Sequence, residues 1–370
     1  MGAFFLFIAR MGGKYTVPLS LRNFSHQDII IIMNELYHKL LIIRTPGIGP
    51  IKYADLIRRF GDATTAAGAI SPNDAVRDGV RREMDRAAAL NIHYICDDDV
   101  RYPPRLRELK NHPPILTVRG NVDVLRRPMV AMVGTRHASA AGMTFMANMA
   151  EQFSSHGITV ASGMAMGTDT AAHRGALRSS NDGATVAVLA GGVDYIWPIE
   201  NESLYDDIMA RGAIISEMPV GYVPLATNFI QRNRWVAGIA DQLILGEADP
   251  KSGSVTTARF AIEMNRPVFA VPGHPSDPRS MGPNGLIRDG VAKICINIDN
   301  FFDKKTHQNT KKEKKFDAEN VILDAIGTIP VTESVLADIV QKSISEIKRE
   351  LVVLELQGLV RNTGAGYVRM

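Results

Sequence analysis

The stretch PMVAMVGTRHASAAGMTFMANMAEQFSSHGITVASGMAMGTD (Pro128–Asp169) decides the fold. Its opening run, PMVAMV (Pro128–Val133), is short, apolar and bounded by Gly134, as a strand buried in a parallel sheet should be. Behind the turn, Met143, Met146, Met149, Ala150 and Phe153 recur at helical spacing, and ITVA (Ile158–Ala161) supplies a second strand. The same grammar continues through TVAVL (Thr185–Leu189), AIIS (Ala213–Ser216), QLILG (Gln242–Gly246) and PVFAV (Pro267–Val271), with helix-compatible stretches between. That alternation predicts βαβ units, hence an α/β fold with a Rossmann-like parallel sheet and helices on both faces.

Ligands of such sheets bind beyond the carboxyl ends of the strands, where turns expose backbone amides and helix N-termini that favour anions. Five turns stand there: VGTR (Val133–Arg136), SGMAMGTD (Ser162–Asp169), GGVD (Gly191–Asp194), FIQRNR (Phe229–Arg234) and KSGSVTTA (Lys251–Ala258). Several carry a cation: Arg136, Arg232, Arg234 and Lys251. Amides and cations in one row predict phosphate binding, and a phosphate polymer fits a row better than a single phosphate does.

The VGTR turn lacks the G-x-G-x-x-G spacing of a dinucleotide fold, and Ser162-Gly163 stand where a ribose-binding acid would end the second strand. NAD and FAD are therefore not expected. Gly134, Thr135 and Arg136 read as a phosphate contact, or equally as an ordinary turn with a surface arginine. In SGMAMGTD no lysine follows Gly167, which excludes a Walker A loop. Asp169 is expected to close that turn, leaving the amides of Ser162, Gly163, Gly167 and Thr168 to a ligand. Lys251, Ser252, Gly253, Ser254 and Thr256 crowd small hydroxyls at a helix start, more than capping alone requires. Phe229 beside Arg232, Asn233 and Arg234 suits an unpaired strand, whose bases stack on aromatics while cations track the backbone. Trp235 reads as core. Neither H-E-x-x-H nor G-x-S-x-G occurs, the histidines form no triad, and no Cys/His spacing suggests a metal.

At 370 residues, two or three domains are expected. The reading divides them into a compact helical region at 25–112, the α/β domain at 113–302, a linker at 303–316 and a terminal module at 317–370. The helical region holds TPGIGPIKYADLIRRFG (Thr45–Gly61), the form of a helix-hairpin-helix turn of the SAM-like kind. DKKTHQNTKKEKKF (Asp303–Phe316) is too lysine-dense to pack a core. Beyond it, three short helices and a Gly-rich hairpin outline a winged helix-turn-helix. Its third helix, Ser345–Gln357, mixes acids and bases, which suits a protein contact at least as well as duplex DNA.

The formal charge of +3 confines any basic character to a local site. Two cysteines far apart form no disulfide framework and fit a reducing, cytoplasmic setting. No apolar run is long enough to span a membrane. MGAFFLFI at the start has no basic flank, so it reads as a loose tail, or as residues upstream of a true start at Met11.

In order, these motifs resemble the DNA-processing protein A (DprA, or Smf) family. VGTR resembles its V-G-[ST]-R turn, SGMAMGTDTAAHRGAL its S-G-x-A-x-G-[IV]-D-x-x-A-H stretch, and GGVDYIWPIEN its G-x-G-x-D-x-x-Y-P-x-x-N segment. FIQRNRWVAG and KSGSVTTARFAIEMNRPVFAVPG match two more. The resemblance implies a non-catalytic, single-stranded-DNA-binding homodimer without cofactor. It would protect incoming DNA and load RecA recombinase during natural transformation, sharing DNA with single-strand-binding protein. By position, Arg136, Phe229 and the Lys251–Ser254 turn would contact DNA, and Ile287 and Ile294 the second subunit. Some members carry lysine where this chain has Met166 or Ala226, so part of the family's phosphate-binding charge is missing.

Two rival functions remain at this stage. One is a nucleotide-cleaving enzyme similar to the phosphoribohydrolases, whose P-G-G-x-G-T-x-x-E loop is only partly matched by KSGSVTTARFAIE. The other is a transcription regulator acting through the winged helix.

Overall fold

The computed structural model describes residues 26–179, 184–301, 321–327 and 330–370. The chain divides into two compact units, Met1–Phe302 and Asp303–Met370. The apolar opening with its alternative start at Met11, and the lysine-rich linker, lie outside the described residues.

The first unit begins with four helices, α1 (His26–Arg44), α2 (Pro50–Phe60), α3 (Ala63–Ile70) and α4 (Asp74–Ala89). Their boundaries follow local chemistry. Pro50 opens α2, Asp62 caps α3 by accepting from Thr65 N, and Asn73 caps α4 by accepting from Val76 N. Leu40, Leu41, Ile42, Tyr53, Ala66 and Val80 bury their side chains in a common core. The α1–α2 turn at Thr45–Gly49 has the hairpin form read from the sequence.

A nine-stranded sheet follows: β1 (His93–Cys96), β2 (Ile115–Gly120), β3 (Met129–Val133), β4 (Thr159–Ser162), β5 (Thr185–Val188), β6 (Ala213–Ser216), β7 (Gln242–Leu245), β8 (Val268–Ala270) and β9 (Lys293–Ile294). Their spatial order is β1-β2-β6-β5-β4-β3-β7-β8-β9. From β6 to β9 every pairing is parallel; β1 and β2 add antiparallel at one edge. Helices α6 (Ala140–Ser155), α7 (Thr168–Arg178), α8 (Glu202–Arg211), α9 (Ala226–Gly238), α10 (Gly253–Glu263) and α11 (Met281–Arg288) connect the parallel strands, and a single turn, α5 (Pro104–Arg107), precedes β2.

β3 shows why its sequence is continuously apolar. Ala131 and Val133 belong to the core on one face of the sheet, and Val130 and Met132 to the core on the other. In α6, Met146, Met149, Ala150 and Phe153 face the sheet, while Met143 stays 37% exposed. The chain runs outward from β3 through β4, β5 and β6, then returns to the opposite side of β3 with β7. That reversal opens a crevice between the ends of β3 and β7, where ligands of such sheets bind.

The stretch read as wholly helical up to residue 112 contains a strand, β1. It has four residues, three half-buried and Ile95 buried, and pairs only with β2, too short to impose a period-two pattern. β9 was likewise not expected; it is two residues at the opposite edge.

In the second unit, α12 (Val321–Ala325), α13 (Glu333–Val340) and α14 (Ile344–Leu356) precede a hairpin of β10 (Val360–Asn362) and β11 (Tyr367–Arg369), and Val331 bridges Tyr367. This is the element order the sequence predicts for the terminal module.

A buried ion pair inside the four-helix portion also bonds it to the sheet and its loops. Arg44 donates from Nε and Nη2 to both Glu83 oxygens at 3.0 Å, and from Nη1 to the Glu217 carbonyl at 3.3 Å. Glu83 is 6% exposed, and it also accepts from Tyr94 Oη and Val220 N. Removing one member of such a pair strands the other charge. Glu83→Ala should lower unfolding free energy by about 3–5 kcal/mol in urea titration; a change under about 1 kcal/mol would mean that Arg44 finds water.

Candidate nucleic-acid interface

The turns beyond the strand ends are bonded into one rim. Thr168 N and Oγ1 both donate to the Thr135 carbonyl at 3.2 Å, fastening the β4 turn to the β3 turn. Ser254 Oγ donates to Gly134 O at 2.6 Å, bringing the start of α10 against the same turn. Asn233 Nδ2 reaches Gly253 O at 3.5 Å and links α9 to α10. Gly167 makes the first junction possible. It has φ +75°, and a Cβ there would lie 2.5 Å from the Thr135 and Arg136 carbonyls.

Arg232 locks the rim from beneath. Its side chain is buried; Nη1 donates to the carbonyls of Gly163 and Val188, the latter at 2.8 Å, and Nε donates to Asn233 Oδ1. Asp169 supplies the counter-charge and accepts from the amides of Gly163 and Ala165 at 3.2 Å each. Burial pushes the Asp169 carboxyl above its ordinary value, against the pull of Arg232 and the two amides. Burial also brings Arg232 down to about 10, still charged at neutral pH.

Above this lock, side chains from two turns and from α9, which forms where the sequence reading placed a turn at Phe229–Arg234, alternate cation and ring. Arg136 Cζ stands 5.2 Å from the Trp197 ring centre, and Trp197 meets Phe229 edge-on at 4.7 Å and 66°. Arg232 Cζ lies 6.0 Å from Phe229. Arg136 is exposed, Trp197 is 37% exposed and Phe229 is half-buried. The rings border a shallow, solvent-open cleft lined also by Gly163, Tyr195 and Pro224. Trp197 escaped the sequence reading as a site residue. It sits in an irregular turn before Pro198, outside every periodic segment, and that position was the available signal.

Several expected contacts are placed differently. Arg234 follows Arg232 by two residues, about 200° around a helix, so it faces away from the cleft. There it donates to Asn111 Oδ1 at 3.0 Å and lies over Trp235. Trp235 is core, with 4% exposed. Ser162 is buried and donates to Met132 O. The amides of Gly163, Thr168 and Thr135 are engaged within the chain, the last to Glu247 O, so they are not open to a ligand. The hydroxyl-rich α10 start is also largely self-bonded. Ser252 Oγ accepts from Val255 N, and Thr256 and Thr257 donate to the carbonyls of Ser252 and Gly253. A helix start leaves four amides without an intrahelical acceptor. Ser252 N takes Asp249 O and Val255 N takes Ser252 Oγ; among the described residues, Gly253 N and Ser254 N have no protein acceptor. Those two amides and exposed Lys251 form the anion-facing part of this turn.

The helix start that receives pyrophosphate in a dinucleotide fold is already filled. Glu247 accepts from Ser139 N at 2.7 Å and from Ser139 Oγ, placing the chain's own carboxylate at the start of α6. His173 is a core residue. Thr185 Oγ1 donates to Val160 O at 2.7 Å, so His173 Nδ1 donates to Thr185 Oγ1, and the buried Nε2 has no partner among the described residues. Burial lowers its pKa to about 3. Among the described residues, no cluster of His, Cys, Asp and Glu could hold a metal ion, and no helix is long and apolar enough to cross a membrane.

Arg232→Ala would strand buried Asp169 and should cost about 3–5 kcal/mol of stability in denaturant titration. Arg136→Ala, at an exposed side chain, should change it by less than about 0.5 kcal/mol. Equal losses would refute the division between lock and surface cation. His173 has a folded pKa below its ordinary 6.5, so as pH falls the unfolded chain takes the proton first. Its contribution is complete above pH 6.5 and declines toward pH 3 by up to about 1.4 kcal/mol per unit. In His173→Gln the pH dependence of stability should flatten across that window; an unchanged slope would place the acid sensitivity elsewhere.

The chain matches the family model for DNA recombination-mediator protein A over residues 93–306, and that for a DprA-like N-terminal HHH domain over residues 34–91. Protein Smf of Synechocystis is 34% identical over 247 residues, covering 66% of this chain but only 56% of that protein's length. The crystal structure of DNA processing protein A from Streptococcus pneumoniae superposes with a TM-score of 0.57 at 30% identity, covering 76% of this chain and 99% of that one. DNA processing protein A from Helicobacter pylori, whose structure describes a single-stranded DNA binding mode, gives 0.52 at 29% identity, covering 57% of this chain and 93% of that one. With the model's match spanning more than half the sequence, the chain belongs to the DNA recombination-mediator protein A family.

Proposed function

We propose that the chain binds single-stranded DNA along the rim beyond β3, β4, β5 and β7, as a mediator protein and not as an enzyme. One observation carries the reading: two accessible rings, Trp197 on a turn and Phe229 on α9, stand beside the exposed cation Arg136, above the buried Arg232–Asp169 pair. Bases of an unpaired strand stack on such rings, and the backbone follows the cations. Lys251 with the Gly253 and Ser254 amides extends the phosphate track. Arg232 acts from below as support, and Arg234 takes no part. The Helicobacter relative, which binds single-stranded DNA, supports the assignment.

On this reading the protein shields incoming DNA in the cytoplasm during natural transformation and passes it to RecA recombinase, in exchange with single-strand-binding protein. It works as a homodimer through the β9 edge. Ile294 is 43% exposed on that edge strand, and Ile287 lies half-buried on neighbouring α11.

Fluorescence-anisotropy titration of fluorescein-labelled oligothymidine at several salt concentrations tests the assignment. Arg136→Ala and Lys251→Ala should each weaken binding and reduce the salt slope by about 0.7. Trp197→Ala and Phe229→Ala should each cost about 1–3 kcal/mol with the slope unchanged. Arg234→Ala should bind like the parent. Full affinity in both ring variants would move the interface elsewhere.

A further inference from the structure

The two rings of the candidate interface come from separate stretches of chain. Trp197 lies three residues beyond Asp194 on the loop 189–198, after β5. Phe229 stands in the first turn of α9, reached through the loop 217–225 that follows β6. Neither loop contains helix or strand, and Asp194 joins them. Its Oδ1 accepts from Gly221 N at 2.8 Å, and only 4% of its side chain is exposed. Beside this bond Gly192 N donates to Tyr222 O at 2.9 Å, and Asn228 Oδ1 collects Leu225 N and Tyr222 Oη at the start of α9. A carboxylate so covered needs a counter-charge. Here it comes from the helical portion: Arg86, on α4, donates from Nε to Asp194 Oδ2 at 2.5 Å. Arg44 and Glu83 hold the same 217–225 loop at the Glu217 carbonyl and at Val220 N.

On the interface reading above, we propose that Arg86 and Asp194 are positioning residues for single-stranded DNA. Through this pair the helical portion sets the spacing of Trp197 and Phe229, and neither charge touches the strand. Arg86 is 56% exposed, so direct attraction of a phosphate is the competing account. The two accounts give Asp194 opposite signs. A carboxylate that acted only by its charge would repel phosphates, and neutralising it would strengthen binding. A carboxylate that clasps two loops weakens binding when neutralised, although a negative charge is removed. Asparagine at 194 has one acceptor oxygen and can satisfy only one of the two donors, Gly221 N or Arg86 Nε.

Titration of fluorescein-labelled oligothymidine with the full-length protein tests the pair. Asp194→Asn and Arg86→Ala should each weaken binding about tenfold, the scale of one stacked base, with the salt slope unchanged. The double variant should bind like either single one, because both remove the same contact. In Trp197→Ala protein, Asp194→Asn should cost at most about twofold, since the ring it places is gone. A pair that served stability alone would lower the urea midpoint and leave these affinities as they were. Tighter binding by Asp194→Asn, or an undiminished loss in the Trp197→Ala background, would overturn the proposal. So would a salt slope reduced by about 0.7 in Arg86→Ala, which marks a phosphate contact. Unchanged affinity in both variants beside a weakened Trp197→Ala would overturn it alone. Full affinity in Trp197→Ala itself would remove the interface, and the proposal with it.

Discussion

One buried guanidinium organises the candidate interface. Arg232 is held by the carbonyls that end β4 and β5 and faces Asp169, whose carboxylate in turn collects the amides of the β4 turn. Neither charge is tolerable alone at this depth, so each fixes the other and the loops between them. The site's exposed members inherit their positions from this pair. Phe229 stands three residues before Arg232 on α9, hence one turn away on the same face, and Trp197 leans on Phe229. Even Gly163 follows from it, because a Cβ there would lie 2.5 Å from Arg232 Nη1.

The same constraint sets what a sequence can disclose. β3, buried on both faces, had to be apolar throughout, and the α6 stripe had to recur at helical spacing; those segments were legible because one periodic rule governs each. β1 and β9 were not, since edge strands of four and two residues leave no period to detect. For the site, the turns were identifiable but their internal bonding was not. An arginine that tracks a phosphate and one that closes a turn look alike in one dimension. Arg232 and Arg234 differ only by the helical rotation between them, and the carbonyls that claim Arg232 come from residues 163 and 188. The hydroxyl cluster at α10 misled for a similar reason: serines and threonines at a helix start bind their own backbone as readily as an anion.

The crevice also differs from that of a dinucleotide fold at one point. In that fold the first helix start is the anion seat. Here Glu247, from the far side of the topological reversal, occupies it through Ser139. A second anion at that point would meet a carboxylate. On the proposed reading, ligand charge is displaced outward, to Arg136 on the β3 turn and to Lys251 with the two open amides of α10. The anion contacts then lie along a line at the rim, suited to a chain of phosphates more than to one buried pyrophosphate.

That displacement bears on strand selection. Trp197 and Phe229 meet edge to face, leaving part of the indole accessible, and a ring held this way can be covered only by a base whose own face is free. In a duplex both faces of every interior base are already stacked, so exposing one requires a few kcal/mol of unstacking before any contact forms. Cations on the rim would attract either form of DNA equally. Discrimination on this reading therefore resides in the rings, and affinity at low salt resides mainly in the cations.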